Sequence, residues 1–407
     1  MLRIAVANPF DPLPGEPVPP ARYASLCRVL AGRGHEVHWF SSDFSHLFKR
    51  PRDVEALTAA ARQGGYRLTL APTRPYHTNI SPARLLSHRL LTRRLRRTWS
   101  SEGLRYDVVL ASLPTSGIAM AAAELAHRCN SQLVLDVQDL WPETFERFWP
   151  PSLRWANRVA FAPLASQVRR AYRRADALVG VADGYIDHAK PYLRPNVPTA
   201  MIPLGVDLDA FDRFRRPLDQ LGLDRPGSQV WLFVSGSLGR YVWVEAIVAL
   251  MSELHRRDPQ RYRVNIVGSG DAEKDLRQAV SGLPNVRMHG RVSEELFASL
   301  ATASDVALLP IRPDAQVFLP NRVFQYFAAG LPILSTIPGQ LQRLLAEHQA
   351  GITCDGDNAS AMADAVDELA RRRRATPLSA SRPGWVGQFD RWTIANRFAD
   401  FLESAAR

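Results

Sequence analysis

The sequence predicts an α/β protein of two doubly wound domains that face each other across a cleft. Three observations support this. Short apolar runs alternate with stretches of helical period, the alternation starts afresh near residue 229, and 407 residues with 46% hydrophobic content can bury two cores.

Taken in order, "RIAVANPF" (3–10) reads as a first strand and "ARYASLCRVLAGRG" (21–34) as the helix after it. Tyr23, Leu26, Cys27 and Leu30 recur there at i, i+3, i+4 and i+7, and Gly32 and Gly34 end the run. "HEVHWFSS", "YDVVLAS", "QLVLDVQ", "DALVGVA" and "PTAMIPLG" continue the strands, with helical stretches between them. Apolar strands alternating with helices indicate a parallel sheet covered on both faces. The first domain is expected over 1–203, followed by a connection rich in Asp, Arg, Pro and Gly over 204–228. The second domain, 229–384, repeats the pattern with strands at 229–237, 262–270, 285–290, 305–311 and 332–337. Its helices are expected at 241–257, 271–282, 293–302 and 320–329. A terminal helix over 385–407 should pack back on the first domain, anchored by Trp385, Phe389 and Trp392.

No run of 18 uncharged apolar residues occurs, so no membrane-spanning helix is expected. The start reads as a strand rather than a signal peptide. Cys27, Cys129 and Cys354 are too scattered for a disulfide framework or a metal site, which suits a reducing cytoplasm. The net charge of +11 is unevenly placed: residues 1–200 hold 27 Lys and Arg against 16 Asp and Glu, and residues 201–407 hold 24 of each. From Glu55 to Glu102 there are nine arginines and no acid between. Within that gap Leu86 and Leu90 form one helical row, with Leu91 and Leu95 alongside, and Arg89, Arg93, Arg96 and Arg97 fill much of the rest. The segment Arg84–Arg97 suits an anionic membrane surface, and so the inner face of the plasma membrane. Equally, it suits a solvated helix docked by its leucines on its own domain. Nucleic acid is not an expected partner, because Trp99 is the one aromatic there and no binding motif accompanies it.

Several strand–loop–helix turns could carry chemistry. In "NPFDPLPGEPVPPARYA", Gly15 would let backbone approach a ligand, although a plain proline-rich loop is the simpler reading. "SGSLGRYVWVE" sets Gly236, Gly239 and Arg240 at a helix start, which suits a diphosphate or a mere surface arginine. "IVGSGDAEKDL" lacks the residues of a nucleotide-cleaving P-loop. Gly290, Arg291 and Val292 form a tight turn before a helix, able to offer backbone groups to a base. "LPNRVFQYFAAGLPILS" opens a short helix with Pro320, Asn321 and Arg322; unpartnered first-turn amides and a guanidinium there suit phosphate oxygens. Gln325, one turn on, could reach a ribose hydroxyl. Asp136, Asp139 and Glu143 in "LDVQDLWPETFERF" cluster at a strand end, where they could orient an acceptor hydroxyl or stabilise positive charge at a sugar carbon. Asp139 could instead cap the turn before Pro142.

These stretches together, above all "LVLDVQDLWPE" and "LPNRVFQYFAAGLPIL", resemble the family 4 retaining glycosyltransferases of GT-B fold, in the branch that builds bacterial surface polysaccharides. The resemblance implies two Rossmann-like domains, the second binding a nucleotide-diphosphate sugar and the first a lipid-linked or other saccharide acceptor. It implies a hexosyl- or N-acetylhexosaminyl-transferase that needs no cofactor and no metal. Arg240 and Arg322 would assist the departing diphosphate, and Asp139 would join them at the reacting centre. Gly15, Gly236, Phe318, Leu319, Asn321 and Gln325 would hold the donor, with Arg291 and Val292 at its base. Asp136 and Glu143 would serve the acceptor side. The wider family's two glutamates, eight positions apart, fall at Val317 and Gln325, and the lysine often beside the diphosphate arginine is absent from "GRYVWVE". A catalytically silent sugar-nucleotide-binding subunit, or an epimerase or phosphorylase of the same fold, are the competing readings.

Overall fold

The computed structural model describes every residue except Pro20, Asn79, Ile80, Glu102, Trp149, Pro150, Arg240 and 376–381. The chain divides into two units, Met1–Leu204 with Arg391–Arg407, and Gly205–Asp390.

In the first unit the strands are β1 (Arg3–Ala7), β2 (Glu36–Ser42), a short antiparallel pair β3 (Phe44–Ser45) and β4 (Arg50–Pro51), then β5 (Arg67–Ala71), β6 (Val108–Leu113), β7 (Gln132–Val137), β8 (Ala177–Gly180) and β9 (Thr199–Met201). The helices between them are α1 (Arg22–Gly32), α2 (Val54–Gln63), α3 (Pro82–Ser101), α4 (Ser116–Cys129), α5 (Arg154–Arg174) and α6 (Asp183–Ala189). The second unit carries α7 (Leu208–Phe214), β10 (Val230–Ser235), α8 (Val244–Arg257), β11 (Tyr262–Val267), α9 (Glu273–Ala279), β12 (Val286–Gly290), α10 (Glu294–Ala303) and β13 (Val306–Leu309). It continues through α11 (Arg322–Ala328), β14 (Ile333–Ser335), α12 (Gln340–Glu347), β15 (Gly351–Thr353) and α13 (Ala359–Ala375). The last helix, α14 (Arg391–Ala405), returns to the first unit.

Each unit has one wholly parallel sheet. The orders are β5-β2-β1-β6-β7-β8-β9 and β12-β11-β10-β13-β14-β15. Both sheets therefore reverse direction of growth at their first strand, β1 or β10. Ligands of such sheets bind beyond the strands' carboxyl ends at that reversal. Strands β6 and β10 are buried along their whole length, as helices on both faces require.

The structure revises some sequence expectations. Strands β5 and β15 lie at sheet edges, and "RLTLA" is too short and too mixed in polarity to stand out. The expected helix 320–329 is shorter, Arg322–Ala328, because Gly330 takes φ +65° and the Leu331 amide turns back to the Tyr326 carbonyl. The expected terminal helix is split: Trp385 and Phe389 belong to a 3₁₀ turn in the second unit, packed on Phe327, and only Trp392 lies in α14. Helix α14 buries Ile394, Phe398 and Leu402 in the same core as Leu26, Cys27 and Leu30 of α1. Helix α3 docks through Ser87, Leu91, Leu95 and Trp99, while Leu86 faces outward. Cys27, Cys129 and Cys354 are all free thiols.

Candidate functional site

In the second unit four loops meet beyond the sheet's carboxyl edge. The loop after β10 is laced to the loop after β11 by Leu238 N–H to the Ser269 carbonyl (3.0 Å) and Ala272 N–H to the Leu238 carbonyl (2.8 Å). It is tied to the loop after β13 by Trp243 N–H to the Pro310 carbonyl and Arg312 N–H to the Tyr241 carbonyl, both 2.9 Å. Gly268 N–H reaches the Gly290 carbonyl at the end of β12 (2.7 Å). A Cβ on Gly268 would run into the Gly236 carbonyl, so only glycine permits these two loops to approach.

Arg322, the first residue of α11, is 8% exposed and lies along this β10 loop. Its Nη2 donates to the Ser237 carbonyl and the Tyr241 hydroxyl, each at 3.2 Å. The Tyr241 ring stands 5.8 Å from the guanidinium. Behind it Tyr326 is fully buried, and its hydroxyl accepts from Ser235 N–H at 3.0 Å, pinning α11 to the end of β10. Burial raises the Tyr326 phenol above its usual range, so it stays protonated. The first turn of α11 is less open than the sequence suggests. The Val323 and Phe324 amides are spent on the Pro320 and Asn321 carbonyls (3.0 and 3.2 Å), leaving the guanidinium as the stronger feature.

Around this centre, Asn321 is exposed, Phe318 and Gln325 are half-buried, and Leu319 is buried. Arg291 is exposed and its Nε donates to the Ser269 hydroxyl at 3.0 Å, which ties the β12 turn to the β11 loop; Val292 beside it is half-buried. Arg240 lies outside the described residues.

The first unit puts its polar groups to structural use. Asp136, at 0% exposure, takes both Nε and Nη2 of Arg22 (2.9 and 3.0 Å), the Tyr23 hydroxyl (2.6 Å) and the Gln138 amide (2.8 Å). This corrects the acceptor role expected for Asp136: its oxygens are committed and shut off from solvent. Arg22 also donates to the Pro203 carbonyl and lies 4.5 Å over the Phe398 ring, so one residue joins α1, β7, the end of β9 and α14. Asp139 accepts from Leu140 N–H, Trp141 Nε1 and Thr144 Oγ1 at 2.8–3.0 Å, which holds its carboxylate within the turn before Glu143. Glu143 is half-buried with one oxygen 3.7 Å from His188 Nε2. Gly15 has φ +93° and packs its open side on Leu57 and Ala60 of α2. Arg84 is not part of a surface patch either. It is buried, 4.3 Å over Trp141 and near the rings of Phe10 and Tyr76.

Two family models match side by side and together span most of the chain. One, described as Glycosyltransferase Family 4, matches residues 22–210, and the other, Glycosyl transferases group 1, matches residues 229–372. The chain belongs to glycosyltransferase family 4.

Among curated relatives of this family 4 chain are two proteins named D-inositol 3-phosphate glycosyltransferase. The one from Arthrobacter is 28% identical over 45% of this chain and 46% of its own length. The one from Paenarthrobacter aurescens is 27% identical over 65% and 64%. The chain thus spans about half to two thirds of the curated relatives it matches. Among solved structures, Anabaena HepE in complex with UDP and glucose superposes with a TM-score of 0.64 at 17% identity, covering 99% of this chain and all of that one. The fold is GT-B, with two parallel Rossmann-like sheets.

Sequence reasoning missed Ser237 and Tyr241 as partners of Arg322, and Tyr326 as the pin behind it. A tyrosine inside the apolar run "VFQYFAAG" was the available signal, since a buried phenol needs a partner. Nothing in the sequence connects Arg22 with Asp136, 114 positions away.

Proposed function

We propose that the protein is a retaining glycosyltransferase, moving a hexosyl or N-acetylhexosaminyl group from a nucleotide-diphosphate donor to a hydroxyl of a lipid-linked saccharide. The process it serves is synthesis of a cell-surface polysaccharide. The observation that carries this reading is Arg322, a guanidinium laid along the glycine-rich loop at the reversal point of the second sheet. The likeness to relatives named as glycosyltransferases supports it.

In this mechanism the second unit holds the nucleotide sugar. As the bond from the anomeric carbon to the diphosphate breaks, charge grows on the leaving oxygen. Arg322, together with Arg240, stabilises it, a contribution whose loss typically costs about 3 kcal/mol of barrier. Charge supplied by arginine lets the reaction run without a metal. Gln325 and Asn321 bind the donor, with Arg291 and Val292 beside its base. The acceptor hydroxyl attacks from the face the diphosphate leaves, so configuration is retained without a covalent intermediate. On the first unit, exposed Arg89, Arg93 and Arg97 of α3 meet an anionic membrane. No helix among the described residues is long and apolar enough to cross a bilayer.

The test is a panel of UDP-, GDP- and dTDP-sugars offered with a lipid-linked saccharide, following donor consumption and the anomeric configuration of the product. Transfer with retention supports the reading. Nucleotide binding without transfer favours a silent subunit, release of epimer or free sugar favours the epimerase, and no binding at all removes the whole proposal.

A further inference from the structure

The first unit holds a cavity of about 510 Å³ between α3, α4 and α5, beyond the carboxyl ends of β6 and β7. That size is ordinary for a small-molecule site. Its walls are mainly apolar, including Leu85, Met120, Trp141, Phe161 and Leu164. Three features give it one chemical polarity.

First, α4 points its N-terminus into it. Thr115, Ser116 and Gly117 all line the cavity, and the first turn contains no acidic residue. Thr115 stands at the cap position yet its hydroxyl caps nothing: the residue is 4% exposed and Oγ1 has no hydrogen-bond partner. A buried hydroxyl without a partner costs free energy unless a ligand supplies one. Second, Arg89, Arg93 and Arg170 line the same cavity from exposed positions, and among the described residues none of them has a carboxylate partner. Arg96 and Glu124 also line it, but they neutralise each other through two 2.8 Å bonds. Third, an apolar track leads away over the surface. Leu86, next to Leu85 on α3, is 45% exposed; Val159, next to Ala160 on α5, is 67% exposed, and Trp155, one turn before it, 66%.

We propose that this cavity seats a phosphate-bearing lipid. The phosphate sits at the α4 N-terminus with Thr115 and the arginines, and the first part of a single apolar chain fills the space beside Phe161 and Leu164. A helix N-terminus and guanidinium groups both suit a phosphate, while Leu85, Met120, Phe161 and Leu164 suit hydrocarbon, so one molecule carrying both satisfies the site. The exposed track gives such a chain a path from a bilayer. Resting on the transferase reading above, this makes the cavity the place where the acceptor's lipid end is held.

The test uses farnesyl phosphate, with farnesol and inorganic phosphate as separate arms, each titrated by calorimetry against the full chain. Farnesyl phosphate should bind at least tenfold more tightly than either fragment. Ala160→Trp, a substitution at an exposed position on the mouth, should weaken farnesyl phosphate at least tenfold and leave UDP affinity unchanged. Arg93→Gln should weaken farnesyl phosphate severalfold and leave farnesol unchanged. Farnesyl phosphate binding no tighter than inorganic phosphate, or equal binding by Ala160→Trp, overturns the proposal. If a nucleotide sugar is still turned over onto a water-soluble saccharide in that case, the transferase reading survives alone. Tight farnesyl phosphate binding with no nucleotide sugar consumed sinks the transferase reading instead and leaves a lipid-phosphate site.

Discussion

Gly236 and Arg322 share one space: a Cβ on residue 236 would stand 2.9 Å from the guanidinium carbon and from Nη2. With φ at +109°, residue 236 also holds a backbone conformation that side chains resist. Gly236→Ala should therefore strain the loop and push Arg322 off Ser237. Donor affinity should fall at least tenfold by calorimetry, and Gly236→Ala with Arg322→Ala should bind little worse than Arg322→Ala alone, because both act on one interaction. Full additivity of the two losses would refute the coupling.

Replacement of Arg322 itself separates charge from shape. Arg322→Lys keeps the cation and loses only the planar guanidinium, whose Nη2 donates to both the Ser237 carbonyl and the Tyr241 hydroxyl, so kcat should drop less than about tenfold. Arg322→Ala removes the cation and should cost roughly a hundredfold. Steady-state rates with the best donor of the panel decide it; equal losses in the two variants would mean that charge is not what matters.

Asp136 should matter to stability rather than to chemistry. Asp136→Asn leaves Arg22 buried beside a neutral partner, and breaking a buried pair in this way costs about 3–5 kcal/mol. Urea unfolding followed by tryptophan fluorescence should show that loss, while UDP affinity at 4 °C stays near the parent's. A variant as stable as the parent would contradict the assignment.

Acid should loosen the first unit. Burial holds His38, His46 and His88 each at about 3, well below the ordinary 6.5, with Arg67 beside His38 and Arg84 beside the other two adding to the effect. The unfolded chain therefore binds three more protons as the pH falls below 6.5, and their stabilising contribution, complete above that value, is lost towards pH 3. Burial raises Asp11 in the other direction, to about 6 from 3.8, so between pH 4 and 6 the folded state holds one proton more tightly. The three histidines outweigh Asp11 and Asp43, whose carboxyl burial also raises, so stability falls with acid, by about 2–3 kcal/mol per pH unit at the steepest. His88→Phe should roughly halve that slope and Asp11→Asn should steepen it, both readable from urea midpoints across pH 4–7.

Membrane association should follow the outward arginines of α3. Each basic group near an anionic surface contributes about 1 kcal/mol, so Arg93→Gln with Arg97→Gln should weaken binding to phosphatidylglycerol vesicles roughly thirtyfold. Binding to neutral vesicles should not change. Vesicle affinity that ignores the substitutions would remove α3 from the membrane contact.

Much of this architecture could be read before any coordinates. The alternation of β10, α8, β11 and α9 is written in apolar periodicity, and Gly236, Gly268 and Gly330 each stand where a sharp turn is needed. Local capping was legible too, as Ser293 before α10 illustrates: its hydroxyl accepts from the Leu296 amide. What escaped was whatever depends on distant pairing. The Arg22–Asp136 bond has no local signature, so Asp136 read as an open carboxylate. Helix α3 was similarly ambiguous: its leucines occupy two adjacent rows, and only the packing of Trp99 and Leu95 decides which row is inside. Edge strands as short as β15 give too few residues for any period to register.

The placement of α14 bears on how the chain is made. Its Phe398 and Leu402 complete a core begun by α1, yet a whole second unit separates them in sequence. On a ribosome, the hydrophobic flank of α1 must wait uncovered until the rest of the first unit's leading part and all of Gly205–Asp390 have emerged. A nascent chain stalled near Asp390 would thus present a finished C-terminal lobe and a sticky, unclosed N-terminal one, which is the form a chaperone would be expected to hold.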